Sequence, residues 1–214
     1  MADAAPCIYV LAGTNGAGKS SIAGATVRAS GAEYFNPDEA AQRIRATNPG
    51  MTQAEANSVA WHEGRRLLER AVAERLDYAF ETTLGGDTIT QLLERALDAG
   101  IEVRVWYTGL SSPELHIARV RARVAKGGHD IPEADIRRRY VSGQLNLIRL
   151  LPRLTELRVY DNSEEADPAR GVPPIPRLVL HLEGGRIVNI DDLAGTPAWA
   201  KPIVVAAMKL PVSS

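Results

Sequence analysis

The chain has little that would tie it to an oxidising compartment, a membrane or a polyanion. Cys7 is its single cysteine, which excludes an intramolecular disulfide and fits a reducing compartment. The apolar run over residues 7–13 falls far short of the roughly 18 residues that suggest a membrane span. The N-terminus carries no basic segment of the kind that opens a secretory leader. The formal net charge is -1, so no global positive field points to nucleic acid as the partner. These absences lead us to expect a soluble, cytoplasmic protein with no membrane association. Internal repeats and low-complexity tracts are also missing. Lysine is scarce: Lys19, Lys126, Lys201 and Lys209 are the only ones among 25 basic residues. The arginine excess suits bidentate phosphate contacts, but codon bias in the source genome is the favoured explanation of the bulk count.

With 214 residues, 45% hydrophobic and 24% charged, the chain suits one domain, or one domain with an appendage. Residues 7–12 form a short, continuously apolar run that ends in glycines, as a strand buried on both faces does. A helix is expected from Lys19 to about Ala29, and a short strand at residues 33–36. Pro37 then opens a second helix, in a favourable first-turn position. A long helix at residues 52–76 carries an apolar stripe at helical spacing. Strands follow at residues 78–82 and 101–107, separated by a helix over residues 88–99. Helices at residues 113–126 and from Pro132 onward flank the loop Gly127-Gly128-His129-Asp130. A last short strand at residues 157–160 precedes Asp161-Asn162-Ser163. Strands alternating with helices predict an α/β fold, with a mostly parallel sheet and helices on both faces. Residues 164–176 read as a linker. Gly184-Gly185 between two apolar segments predicts a small C-terminal β-hairpin, followed by a short tail with Trp199. We therefore expect a catalytic unit over residues 1–163, with a basic lid at about 119–140, and then a linker, hairpin and tail over residues 164–214.

The strongest motif is Gly13-Thr14-Asn15-Gly16-Ala17-Gly18-Lys19-Ser20, which fits the P-loop pattern in full and sits between a buried strand and a helix. Glycines let the backbone wrap close to phosphates, and successive N–H groups at a helix N-terminus face the anion. Lys19 reaches the β- and γ-phosphates, the Ser20 hydroxyl is suited to ligating Mg²⁺, and Ser21 extends the cradle. The expected ligands are ATP, favoured over GTP, and Mg²⁺. A P-loop does not name a reaction. No signature of the ABC-type ATPases is present, nor any run of four apolar residues closed by an aspartate. A short chain with a basic segment after its fourth strand suits a kinase that closes a lid over ATP.

Further motifs occur in a characteristic order. They are Asn36-Pro37-Asp38-Glu39, Phe80-Glu81-Thr82-Thr83-Leu84, residues 126–133, residues 136–140 and Tyr160-Asp161-Asn162-Ser163. Together with the P-loop, they resemble the zeta-toxin-like P-loop kinases, more narrowly their stand-alone bacterial branch, over residues 7–163. Zeta toxins proper phosphorylate a hydroxyl of UDP-N-acetylglucosamine and so interfere with the supply of cell-wall precursors. The resemblance implies an ATP-dependent phosphotransferase, a small-molecule hydroxyl acceptor such as a sugar nucleotide, and a toxin neutralised by a separate antitoxin chain. It also implies that Asp38, after the second strand, takes the proton from the acceptor.

Other side chains fit such a site. Glu81, inside an otherwise apolar strand, is costly without a partner and suits a role in holding Mg²⁺ or substrate hydroxyls. Thr82 and Thr83 add polar contacts at the same edge, where ligands of open α/β sheets bind. Arg119 and Arg123 share a helix face with Lys126, and Arg123 is the first choice for the γ-phosphate. Arg137 or Arg138 is the second. His129, after two glycines, is placed to touch phosphate or substrate, and Asn162 to line the adenine pocket. Each also has a plain structural explanation, as a cap, an ion pair, a solvated face or a turn. Trp61 and His62 are read as packing or surface residues. Two rivals remain open. One is a polynucleotide or nucleoside kinase on the same fold. The other is a nucleotide-dependent binding module or ATPase switch with no small-molecule acceptor.

Overall fold

A computed structural model describes residues 5–19, 33–164 and 176–211. The helix expected after Lys19, Ser20 and Ser21, and most of the expected linker, lie outside the described residues. Seven strands form one sheet in the order β2-β3-β1-β4-β5-β6-β7. β1 (Cys7–Ala12) is central, and five of its six residues are buried. It pairs in parallel with β3 (Tyr78–Thr82) on one side and β4 (Glu102–Gly109) on the other. β2 (Glu33–Phe35) continues the parallel pairing beyond β3, and β5 (Glu156–Asp161) beyond β4. The chain thus leaves β1 to opposite sides, and such a switch point opens a crevice at the strands' carboxyl ends.

Six described helices surround this sheet: α1 (Pro37–Thr47), α2 (Gln53–Glu74), α3 (Asp87–Asp98), α4 (Pro113–Val124), α5 (Glu133–Leu150) and α6 (Lys201–Met208). Their starts follow local chemistry. Pro37 occupies the first turn of α1, and Asn36 Oδ1 accepts the backbone N–H groups of Asp38 and Glu39. Thr52 and Glu55 form a reciprocal capping box on α2. Ser112 caps α4. No described helix is long and apolar enough to cross a membrane.

The predicted hairpin forms, with its two-glycine turn at positive φ, but it does not stand apart. β6 (Arg177–Glu183) pairs antiparallel with β5, and β7 (Arg186–Ile190) with β6, so the hairpin extends the main sheet. The predicted tail is likewise structured. Ile203, Val204 and Ala207 of α6 belong to the main core. The indole of Trp199 covers Gly109 so closely that a Cβ there would lie 2.4 Å from the ring, and its Nε1 donates to Asp161 Oδ1 at 3.1 Å. Burial of this ring pins the chain end against β4 and β5, and replacing a buried tryptophan by alanine typically costs about 3–5 kcal/mol.

Candidate active site

The phosphate-binding motif turns at the carboxyl end of β1. Gly13 has φ 138°, and its N–H donates to Thr82 O on β3 at 3.2 Å. Any Cβ at this position would meet Thr108 O of β4 at 2.1 Å, so the loop passes between its neighbouring strands only as glycine. Thr14, Asn15 and Ala17 are buried. Lys19 Nζ donates to Gly13 O at 3.0 Å, curling back over the loop. Asn162 was expected at the adenine pocket. Its Nδ2 donates to Ala17 O at 2.8 Å, so it clamps the loop from just past the end of β5.

Beside this loop lies a cleft of about 310 Å³. Asn15 and Lys19 line it, with Asp38 from the first turn of α1, Glu81 and Thr82 from β3, and Thr83 just after that strand. Trp61 and Arg65 from α2, with Phe35 and Phe80, line it as well. His129, Arg138 and Arg139 come from the loop before α5 and from α5 itself. Five separated stretches of sequence therefore deliver side chains to one space.

Glu81 is buried and accepts a hydrogen bond from the Tyr34 hydroxyl of β2. Burial, reinforced by this carboxylate, pushes the Tyr34 hydroxyl well above its ordinary pKa, so it stays a donor. Thr82 Oγ1 accepts from Leu84 N at 3.0 Å, and Thr83 Oγ1 from Gly85 N at 3.4 Å. These bonds shape a turn in which buried Leu84 holds φ 54°, an uncommon conformation for a bulky residue. Asn146 of α5 secures that turn by donating to Leu84 O at 2.9 Å. Backbone strain of this kind persists where the surroundings over-determine it, often beside ligand sites.

Arg123 and His129 meet at Asp38. Arg123 Nη1 lies 3.4 Å from Asp38 Oδ2, and His129 Nε2 lies 3.6 Å from Asp38 Oδ1. Arg123 Nη2 also donates to His129 O at 3.3 Å, while its Nε is buried without a hydrogen-bond partner. The other expected arginines separate. Arg138 lines the cleft and pairs with Asp135 at 2.7 Å. Arg137 pairs instead with Glu114 at 2.7 Å and does not line the cleft. Arg119 donates to Glu164 O at 3.3 Å and lines a second depression with Arg123 and Lys126.

Arg139 was not singled out from the sequence, yet among the arginines of α5 it contacts the phosphate loop. Its Nη1 donates to Asn15 Oδ1 at 2.9 Å, and Asp135 lies 3.7 Å from Nη2. Burial lowers the Arg139 pKa, opposed chiefly by the Asp135 carboxylate. Helical spacing could have found it, because Ile136, Gly143 and Asn146 are buried and position 139 falls on their face. Trp61, read from the sequence as a packing or surface residue, is 41% exposed and lines the cleft. Asn36, which fixes the turn carrying Asp38, and His116 were also missed.

Comparison with known proteins identifies the family and the fold. The family model described as Zeta toxin matches residues 1–167. An uncharacterized protein of Haemophilus influenzae is 32% identical over 131 residues, which span 60% of this chain and 88% of that protein. Among solved structures, the AvrRxo1-ORF1:AvrRxo1-ORF2 complex determined with ATP aligns with a TM-score of 0.66 at 16% identity, covering 99% of this chain and 67% of that one. A structure from the PezAT chromosomal toxin–antitoxin system of Streptococcus pneumoniae aligns with a TM-score of 0.56 at 15% identity, covering 75% and 69% respectively. The structural likenesses carry the fold, and the family match spans most of the sequence. The chain belongs to the Zeta toxin family.

Proposed function

We propose that the chain is an ATP-dependent kinase that transfers the γ-phosphoryl group to a hydroxyl of a small molecule. The carrying observation is that Lys19 of the phosphate loop and the Asp38 carboxylate line one cleft. In this reading the loop's N–H groups and Lys19 bind the triphosphate. Asp38 orients the acceptor hydroxyl and takes its proton as the new O–Pγ bond forms and the bond from Pγ to the bridging oxygen of ADP breaks. Arg139, hydrogen-bonded to Asn15, and Arg123, paired with Asp38, are the arginines that neutralise the charge spread over the transferring group in this reading. Arg123 must leave Asp38 to do so, which frees the carboxylate for the acceptor. Magnesium fits the oxygen-only donors here: the buried Glu81 carboxylate would hold it with Ser20, and when bound it offsets triphosphate charge.

The acceptor in this reading is a sugar nucleotide of the UDP-sugar class. Phe35, Trp61 and Phe80 give the cleft flat apolar walls, with Arg65 beside them as a cation, and these suit a base with a charged diphosphate. The biological role is that of a toxin held in check by a separate antitoxin, in line with the family and with the toxin–antitoxin system of the pneumococcal relative.

The test is phosphate transfer from γ-labelled ATP to a panel of UDP-sugars, nucleosides and oligonucleotides, with Asp38→Ala alongside. We expect transfer to a UDP-sugar that Asp38→Ala abolishes while ATP binding survives. Transfer to oligonucleotides would make the protein a polynucleotide kinase. Slow ATP hydrolysis alone, untouched by Asp38→Ala, would contradict the mechanism.

A further inference from the structure

His116 lies on α4, outside the cleft, and is 1% exposed. Its Nδ1 sits 2.9 Å from Asn15 O. A carbonyl oxygen only accepts, so Nδ1 carries the proton. The loop also lies directly against the backbone of this helix: Gly16 has φ 83°, and a Cβ there would lie 2.9 Å from His116 O. Tyr140 of α5 meets the imidazole edge-on, with ring centroids 5.7 Å apart. Burial, with Lys19 and Arg119 adding repulsion, lowers the His116 pKa to about 4, so the ring is neutral near pH 7.

Asn15 O belongs to the same planar trans peptide as Gly16 N–H, and in such a unit the two groups point in opposite directions. Fixing the carbonyl onto α4 therefore turns the Gly16 N–H away from α4. We propose that His116 is a positioning residue that aims the Gly16 N–H at the bound triphosphate and joins the phosphate loop to α4. The inference rests on the nucleotide-binding reading above. Asn15 is then held at both ends, by His116 through its main chain and by Arg139 of α5 through its side chain. Without the imidazole N–H, the Asn15–Gly16 peptide is free to rotate and present a carbonyl oxygen to an anion.

Two substitutions separate the hydrogen bond from ring packing. His116→Asn keeps an N–H at the topological position of Nδ1 and loses the ring, whereas His116→Phe keeps a ring and loses the donor. Calorimetric titration of the full chain with Mg·ATP is expected to show Phe weakening affinity about tenfold and Asn within about threefold of the parent, the size of one hydrogen bond to a charged system. In turnover, Phe should raise KM for ATP and leave KM for the acceptor unchanged. Equal losses in both variants, or none in either, would overturn the inference. If the parent does not bind ATP, the nucleotide-binding reading fails first. The ¹⁵N spectrum of the parent's imidazole requires no variant to fold: an Nδ1–H tautomer is expected, and an Nε2–H tautomer would overturn the proposal.

Discussion

The two ends of the sheet both gather charge, and they handle it differently. At the carboxyl ends of β1 and β3, Lys19, Asp38, Glu81, Arg138 and Arg139 line one open cleft, and the pairing between Asp38 and Arg123 is loose at 3.4 Å. At the opposite end, Glu156 opens β5 and is almost fully buried. Arg104 donates to one of its oxygens at 3.1 Å, while Arg158 Nε and His181 Nε2 lie 2.6 Å and 3.6 Å from the other without hydrogen-bond geometry. Glu156, His181 and Glu183 bring ligand-type atoms within 4.8 Å of one another, yet both Glu156 oxygens already face guanidinium groups. One cluster is packed between strands and joins the hairpin to the sheet; the other lines a space large enough for a ligand. Charge alone therefore does not mark a site. Charge around an open volume, delivered by strained and capped turns, does.

The strongest way to break this comparison is to remove a charge from each end. Lys19→Ala should lower phosphate transfer by about a thousandfold or more, in the range of lost transition-state cations, with an unchanged melting temperature. Glu156→Ala should do the reverse. Removing the buried carboxylate leaves Arg104 and Arg158, each about a third exposed, without their shared partner and costs about 1–3 kcal/mol, read by denaturant unfolding, while ATP affinity of the folded protein stays the same. Arg139→Ala should lower kcat by about a hundredfold, whereas Arg137→Ala, whose partner is Glu114 at the surface, should leave kcat at the parent value. Steady-state kinetics on the pair checks this.

His116 supplies a pH signature. Its pKa near 4 in the folded chain lies below the ordinary 6.5, so between those values the unfolded chain binds the extra proton. Stability from the neutral ring is complete above about pH 6.5 and is lost as pH falls towards 4, by about 3 kcal/mol in total. Unfolding free energies at pH 7 and pH 4.5 should converge for His116→Asn and diverge for the parent.

Much of the architecture was legible because its signals are local. A buried apolar run, a glycine-rich turn ending in Lys19, Pro37 in a first turn, and Gly184-Gly185 are each read within a few residues. The phosphate-loop motif is read in the same local way, whereas the role given to Asp38 rests on the family resemblance. The missed side chains act across long stretches of chain: His116 meets a residue 101 positions away, and Arg139 one 124 positions away. Within Arg137-Arg138-Arg139, composition is uniform, and only helix phase relative to Ile136 separates the cleft-lining members from the solvated one. The hairpin's pairing onto β5 and the docking of Trp199 on Gly109 are likewise tertiary contacts, which no local pattern encodes.

The most direct test of the central claim is calorimetric titration of the intact chain with Mg·ATP, beside Lys19→Ala and Glu156→Ala. The account predicts one nucleotide bound per chain, binding lost in Lys19→Ala and preserved in folded Glu156→Ala. Equal affinity in the parent and Lys19→Ala would contradict it, because the cleft at the carboxyl ends of the strands would then not be the nucleotide site.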